Sequence, residues 1–169
     1  MRKPVLGILG FSDGDKAAHE MLKPIVQAQV DAIAEALKKD GRVDVVVAED
    51  IVHSDKTAKS YAEGLKAKGV DATVFAYGVF AFPVFSVIAA RYGKGPFLLA
   101  APFNPDWPGM VSMLAAGGGL DHEGIEHFRV AGDVNEKEVL EKIVTFAKCA
   151  KVVSSLSGQK YGLIGGRSL

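Results

Sequence analysis

The chain has no excess of either charge: Lys plus Arg and Asp plus Glu number 20 each, for a formal net charge of zero. Nucleic acid and anionic membrane surfaces both select a visible surplus of basic residues, so neither is expected as the main partner. A small molecule or another protein is. There is no second cysteine, and Cys149 alone excludes an internal disulfide. Its helical spacing beside apolar residues predicts a small, buried or half-buried side chain. No apolar run approaches the ~20 residues of a membrane helix. The amino terminus carries Arg2 and Lys3 ahead of a short apolar stretch broken by Gly7, which reads as a first strand and not as a signal peptide. No membrane contact and a cytoplasmic location are the expectation.

Chemical fingerprints are equally scarce. The glycines at 7, 10 and 14 miss the G-x-G-x-x-G spacing, and no Gly-Lys-Ser/Thr follows any candidate strand. Asp13 and Asp15 would also set negative charge where a pyrophosphate must sit. H-x-x-x-H, C-x-x-C and nucleophile-elbow patterns are missing, and Ser12 and Ser112 have no base partner that the sequence reveals. Asp121, His122 and Glu123 are ligand types, but three adjacent side chains in a loop do not converge, whereas metal sites gather ligands from separate elements. No complete catalytic set is visible.

What is present is a regular alternation. The 169 residues are 49% hydrophobic and 24% charged, enough for one domain with a core of its own. Strands are expected at residues 5–11, at 43–48 as a Val-rich run of the kind buried on both faces, and at 70–77, 97–101, 126–131 and 161–164. Leu22, Val26, Val30, Ile33 and Leu37 mark one helix face, the helix beginning either near Pro24 or near Lys16 with a kink at the proline. Ser54 is placed to cap a helix running to about Lys68, with Gly69 ending it, and a short helix spans residues 84–92. Pro108 opens a small-residue helix that stops at Gly117. Asn135 with Glu138 has capping-box spacing for a last helix carrying Val139, Ile143, Phe146, Ala150 and Val153 on one face. Six strand–helix units with the final helix missing predict a doubly wound parallel α/β sheet, flavodoxin-like or Rossmann-like. The ending in mid-motif leads to the expectation of one domain or fragment of a longer protein.

In such sheets ligands bind beyond the carboxyl ends of the strands. The loops expected there carry Ser12, Asp13 and Lys16; Tyr77, Phe80 and Phe82; Asn104, Asp106 and Trp107; and Arg167 and Ser168. Polar groups mixed with flat aromatic faces suit a polyol, which offers hydroxyls at its rim and C–H faces for packing. The same aromatics equally suit burial under a neighbouring domain or subunit.

These residues carry a resemblance to the amino-terminal domain of L-fucose isomerase and the related L-arabinose and D-arabinose isomerases. It lies in Asp13-Gly14 with a basic residue just after, the aromatic loop from Phe80 to Phe82, Asn104 with Pro108-Gly109, and Gly158-Gln159-Lys160-Tyr161 leading to Gly165-Gly166-Arg167-Ser168. The resemblance implies an aldose-ketose isomerase that uses a divalent metal, typically Mn2+, and assembles as a homo-oligomer. It places the metal ligands and catalytic carboxylates in later domains, so no catalytic or metal residue is carried onto this chain. The role it implies here is a wall of the sugar pocket, carried to Lys16, Phe80 and Asn104, with Trp107 facing sugar or partner. Fucose isomerase proper has two arginines after the Asp-Gly, where this chain has Asp15-Lys16, and a tryptophan in place of Phe80. Lysine lacks the planar donor fork of arginine, which bears on sugar preference more than on reaction class. The other reading is a stand-alone domain that binds a small sugar or sugar phosphate without catalysis.

Overall fold

The computed structural model describes residues 2–166. Five strands alternate with five helices: β1 (Val5–Gly10), α1 (Lys16–Asp40), β2 (Asp44–Val47), α2 (Asp55–Ala67), β3 (Ala72–Ala76), α3 (Pro83–Tyr92), β4 (Phe97–Ala101), α4 (Gly109–His122), β5 (His127–Ala131) and α5 (Lys137–Leu156). All strands are parallel in the order β2-β1-β3-β4-β5, the doubly wound flavodoxin-like arrangement.

Alternation along the strands sends side chains to two cores, one on each face of the sheet. Leu6, Ile8, Val74 and Leu98 meet Val26, Val30 and Ile33 of α1 and Ile143, Val144 and Ala147 of α5. Leu9, Phe75, Tyr77 and Leu99 meet α2, α3 and α4 through Ala62, Leu65, Phe85, Met113 and Leu120. The five residues of β3 and of β4 are all buried, as their unbroken apolar character requires of central strands. None of the described helices is long and apolar enough to cross a membrane.

Local chemistry explains most boundaries. Asp15 caps α1 by accepting from the Ala18 amide at 2.9 Å, so the helix starts at Lys16 and runs through Pro24. Pro24 has no N–H, which leaves the Glu20 carbonyl without its usual donor. Ser54 caps α2 in a capping box closed by Thr57, and Gly69 follows at φ 73°, the left-handed value that favours glycine.

Several expectations are corrected. β2 is an edge strand, with Asp44 exposed and its valines only half-buried, because the sheet grows away from it after β1. α4 does not stop at Gly117 but runs to His122, so Asp121 and His122 form its last turn. Packing overrides the weak helix propensity of the glycines: a Cβ on Gly117 would lie 2.7 Å from the Arg129 guanidinium, and one on Gly119 would touch Pro83 and Val87 of α3. α5 is preceded by Glu136 with no side-chain cap, while Asn135 donates its backbone N–H and its Nδ2 to Asp133. Val153 and Cys149 are exposed, both lying along the open cavity between α5 and β5.

No sixth strand forms at residues 161–164: Tyr161, Leu163 and Ile164 are 83%, 99% and 100% exposed. Handedness supplies the reason. The steps β3 to β4 to β5 pass over the face that holds α3 and α4, whereas α5 returns to the face of α1. A right-handed crossover from there could deliver a parallel strand only beyond β2, on the far side of the sheet. Arg167 and Ser168 lie outside the described residues.

Candidate functional site

β1 and β3 are neighbours whose chains leave to opposite faces, β1 into α1 and β3 into α3. That divergence opens a crevice at the carboxyl edge, where parallel α/β sheets bind ligands. The structure places the sequence-derived residues around it in two groups.

On the α3 side, Lys16 is the exposed first residue of α1. The loop before it is held by its own aspartates: Asp13 accepts from the Asp15 amide at 2.8 Å. Gly14 in that loop abuts Phe85 and Phe82, which a Cβ would approach to 3.1 and 3.6 Å. Phe82 meets Phe80 edge-on with centroids 5.7 Å apart, and Phe85 at 6.2 Å. Phe80 is half-buried and Phe82 exposed, so the β1 and β3 exits share an aromatic ridge.

On the α1 side, exposed Asn104 follows β4 and accepts from the Asp106 amide at 2.9 Å through Oδ1, leaving its Nδ2 free of protein partners among the described residues. It lines a cleft of about 430 Å³ with Ile25, Ala28 and Gln29 of α1, Gly78 and Pro102. No charged side chain among the described residues lines this cleft. Gly78 is required by close approach, because a Cβ there would lie 3.3 Å from the Ile25 carbonyl oxygen. The loop from Gly78 to Phe82 thus separates the cleft of Asn104 from the ridge of Phe80. Trp107 joins neither and packs, half-buried, on the core beneath α1 and α5.

A larger cavity of about 670 Å³ runs along α5 and the edge strand, lined by Leu98, Phe128, Val130, Phe146, Cys149 and Val153. It lies on the side of the sheet at β5, not at the carboxyl crevice. Topology therefore favours the smaller cleft as the ligand edge.

A polar cluster that no sequence motif announces lies where the exits of β1 and β2 meet α1 and α2. His19 and His53 stack with centroids 4.1 Å apart. Lys23 Nζ donates to Asp50 at 2.7 Å. Burial pushes the Asp50 carboxyl up, but the hydrogen bonds from Lys23 and from the Ile51 amide outweigh it and hold the group below its ordinary value. The bond to Asp50 likewise raises the Lys23 ammonium. Burial raises the Tyr61 phenol. The available signal was spacing: His19 continues the Leu22, Val26, Val30 stripe by one step of three.

Among the described residues no three His, Cys, Asp or Glu side chains come together to hold a metal. No curated protein matches the chain. The family described as L-fucose isomerase, first N-terminal domain, matches residues 3–158 of the 169, in agreement with the flavodoxin-like sheet and its carboxyl-edge cleft, and the chain belongs to that family.

Proposed function

We propose that this chain is the amino-terminal domain of a metal-dependent aldose-ketose sugar isomerase, that its carboxyl edge walls the sugar pocket, and that it makes contacts in a homo-oligomer. The observation that carries the reading is the family match over residues 3–158. No step of the reaction is assigned to residues of this chain, and the metal and its carboxylates belong to other domains. What these residues supply is binding and orientation. Asn104 offers an amide donor to a hydroxyl, Phe80 a flat face to ring C–H groups, and Lys16 a mobile ammonium at the rim. Trp107 steadies the loop that carries Asn104 by packing on the core beneath it.

A cleft without a charged side chain among the described residues suits a neutral polyol better than a phosphorylated sugar, whose dianion would call for the Arg or Lys that is lacking among Pro24, Ile25, Ala28, Gln29, Gly78, Pro102 and Asn104. The test uses two forms of the protein. In the full-length enzyme, Phe80→Ala and Lys16→Ala raise KM for the sugar roughly tenfold each, the effect of losing about 1.4 kcal/mol of binding, and leave Mn2+ affinity unchanged. The 169-residue chain alone shows no turnover with Mn2+ present. Turnover by the chain alone overturns the division of labour, and loss of assembly in either variant with KM retained replaces the pocket role by an interface role.

A further inference from the structure

Two buried polar atoms among the described residues have no hydrogen-bond partner, Ser12 Oγ and His19 Nδ1. Both belong to the exit of β1, where His19 is 3% exposed and Ser12 is fully buried. The His19 ring, in the first turn of α1, lies on the His53 ring with planes inclined by 25°. His53 stands directly before Ser54, the cap of α2, and directly after Val52, which ties the two exits together: Phe11 bridges to Val52, the Ser12 amide donates to the Val52 carbonyl at 2.8 Å, and the Val52 amide donates to the Gly10 carbonyl at 2.9 Å. The stacked rings thus join the start of α1 to the start of α2 across the seam of β1 and β2.

The charges facing the pair come from every element around it. At His19 itself the β2 exit brings Asp50 and His53 and α1 brings Glu20 and Lys23; Glu49 and, from α2, Tyr61 stand further out, around the Lys23–Asp50 pair. Asp50 is already bound to Lys23. Burial first, and His53 second, hold the His19 imidazole below its ordinary value, against the pull of Glu20 and Asp50. A proton on each ring would set two like charges face to face, with ring centroids 4.1 Å apart.

We propose that the His19–His53 stack is a proton-operated latch that closes the seam between the β1 and β2 exits at neutral pH and releases it in mild acid. The proposal does not rest on the isomerase reading. The sign follows from linkage: in the unfolded or open chain His19 takes up a proton near pH 6.5 while in the closed stack it resists it, so closure is complete above about pH 6.5 and weakens as pH falls below that value toward the lower value of His19 in the closed state. Lys16 is one turn from His19, so release loosens the edge that carries it.

The test is histidine NMR titration together with amide hydrogen exchange on the 169-residue chain between pH 7.5 and 5.5. His19 is expected to titrate below 6.5. After correction for intrinsic rates, the amides of Ser12, Val52 and His53 open up to tenfold more for each unit by which His19 is depressed, while those of Phe75 and Leu99 in the central strands hold. His53→Phe keeps an aromatic partner without its charge, so His19 titrates higher and the acid-induced opening shrinks; His19→Phe abolishes it. Should His19→Phe fail to fold, the wild type and His53→Phe decide the matter. A His19 that titrates at or above 6.5, opening that is equal in β3 and β4, or opening unchanged by His53→Phe overturns the latch.

Discussion

The two ends of the sheet treat buried polarity in opposite ways. At the amino end Asp71, fully buried just before β3, accepts from both terminal nitrogens of Arg2 at 3.0 and 2.8 Å, from the Val5 amide at 2.9 Å and from Lys151 at 3.5 Å. Four donors converge on one carboxylate and tie the amino terminus, β1, β3 and α5 together. At the carboxyl end Ser12 Oγ and His19 Nδ1 are as deeply buried and have no protein partner among the described residues. A buried polar group without a partner carries its desolvation penalty uncompensated, so folds keep such groups where ligand, water or motion gives them a use. The amino end is construction, and the carboxyl end is where hydrogen-bonding capacity is left over.

The largest expected effect lies at the satisfied end. Asp71→Ala leaves the Val5 amide and the mostly buried Lys151 ammonium facing an empty site, and is expected to destabilise the chain by about 2–4 kcal/mol in urea unfolding. Burial pushes the Asp71 carboxyl up, but the Val5 amide and Arg2 outweigh it and hold it below its ordinary value. A depressed carboxyl contributes stability above the unfolded value near 3.9 that is lost as pH falls through the folded value. Acid should therefore act in two stages, first at the carboxyl end below about pH 6.5 and only then, below about pH 4, at the amino end. Simultaneous loss of both, followed residue by residue, would erase the contrast.

A smaller effect separates two glycines of α4. A Cβ on Gly109, at the carboxyl end, would lie 2.4 Å from the Tyr77 carbonyl oxygen, a backbone atom that cannot step aside. Gly109→Ala should lower stability by about 1–3 kcal/mol. Gly117 meets only the end of the Arg129 side chain, which also reaches Asp121 at 2.9 Å and can swing away. There the gain in helix propensity, about 1 kcal/mol, offsets a surface ion pair worth ~0–1 kcal/mol, and Gly117→Ala should be nearly neutral by thermal unfolding. Equal losses at the two positions would show that α4 is tightly seated along its whole length and not at its start alone.

The same contrast shows what could be read from the sequence. Strand β4 was expected at its observed limits, and β3 and β5 nearly so, because a short apolar run bounded by turn residues has few alternatives to a buried strand. The helix stripe through Val26 and Val30 and the Ser54 cap were legible because they depend on neighbours a few residues away. The errors fall where long-range packing decides. Gly117 to Gly119 read as a stop until Arg129 and α3 are seen against them. Residues 161–164 have a strand's composition, but the edge that a right-handed crossover from α5 can reach lies beyond β2, across the sheet. Asp71 gave no sign of its burial, since Arg2 and Lys151 lie 69 and 80 residues away. The candidate site was legible as loops, not as a pocket: that Asn104 shares a cleft with Gln29, while Phe80 lies across the loop, depends on how α1 crosses the β3 and β4 exits.

The smallest effect is the most direct probe of the unsatisfied end. Ser12→Ala removes a hydroxyl that has no protein partner among the described residues and leaves a methyl of nearly the same shape in a fully buried site. The penalty of keeping that oxygen dry disappears and no protein hydrogen bond is lost, so the variant should be neutral or more stable by up to ~1 kcal/mol. Asp71→Ala and Ser12→Ala then differ in sign although both delete a buried polar group one residue from a strand terminus or two. Urea unfolding of the two variants side by side measures this. If Ser12→Ala instead destabilises by more than about 1 kcal/mol, Ser12 Oγ holds an ordered water, and the carboxyl end is as well satisfied as the amino end, through solvent in place of side chains.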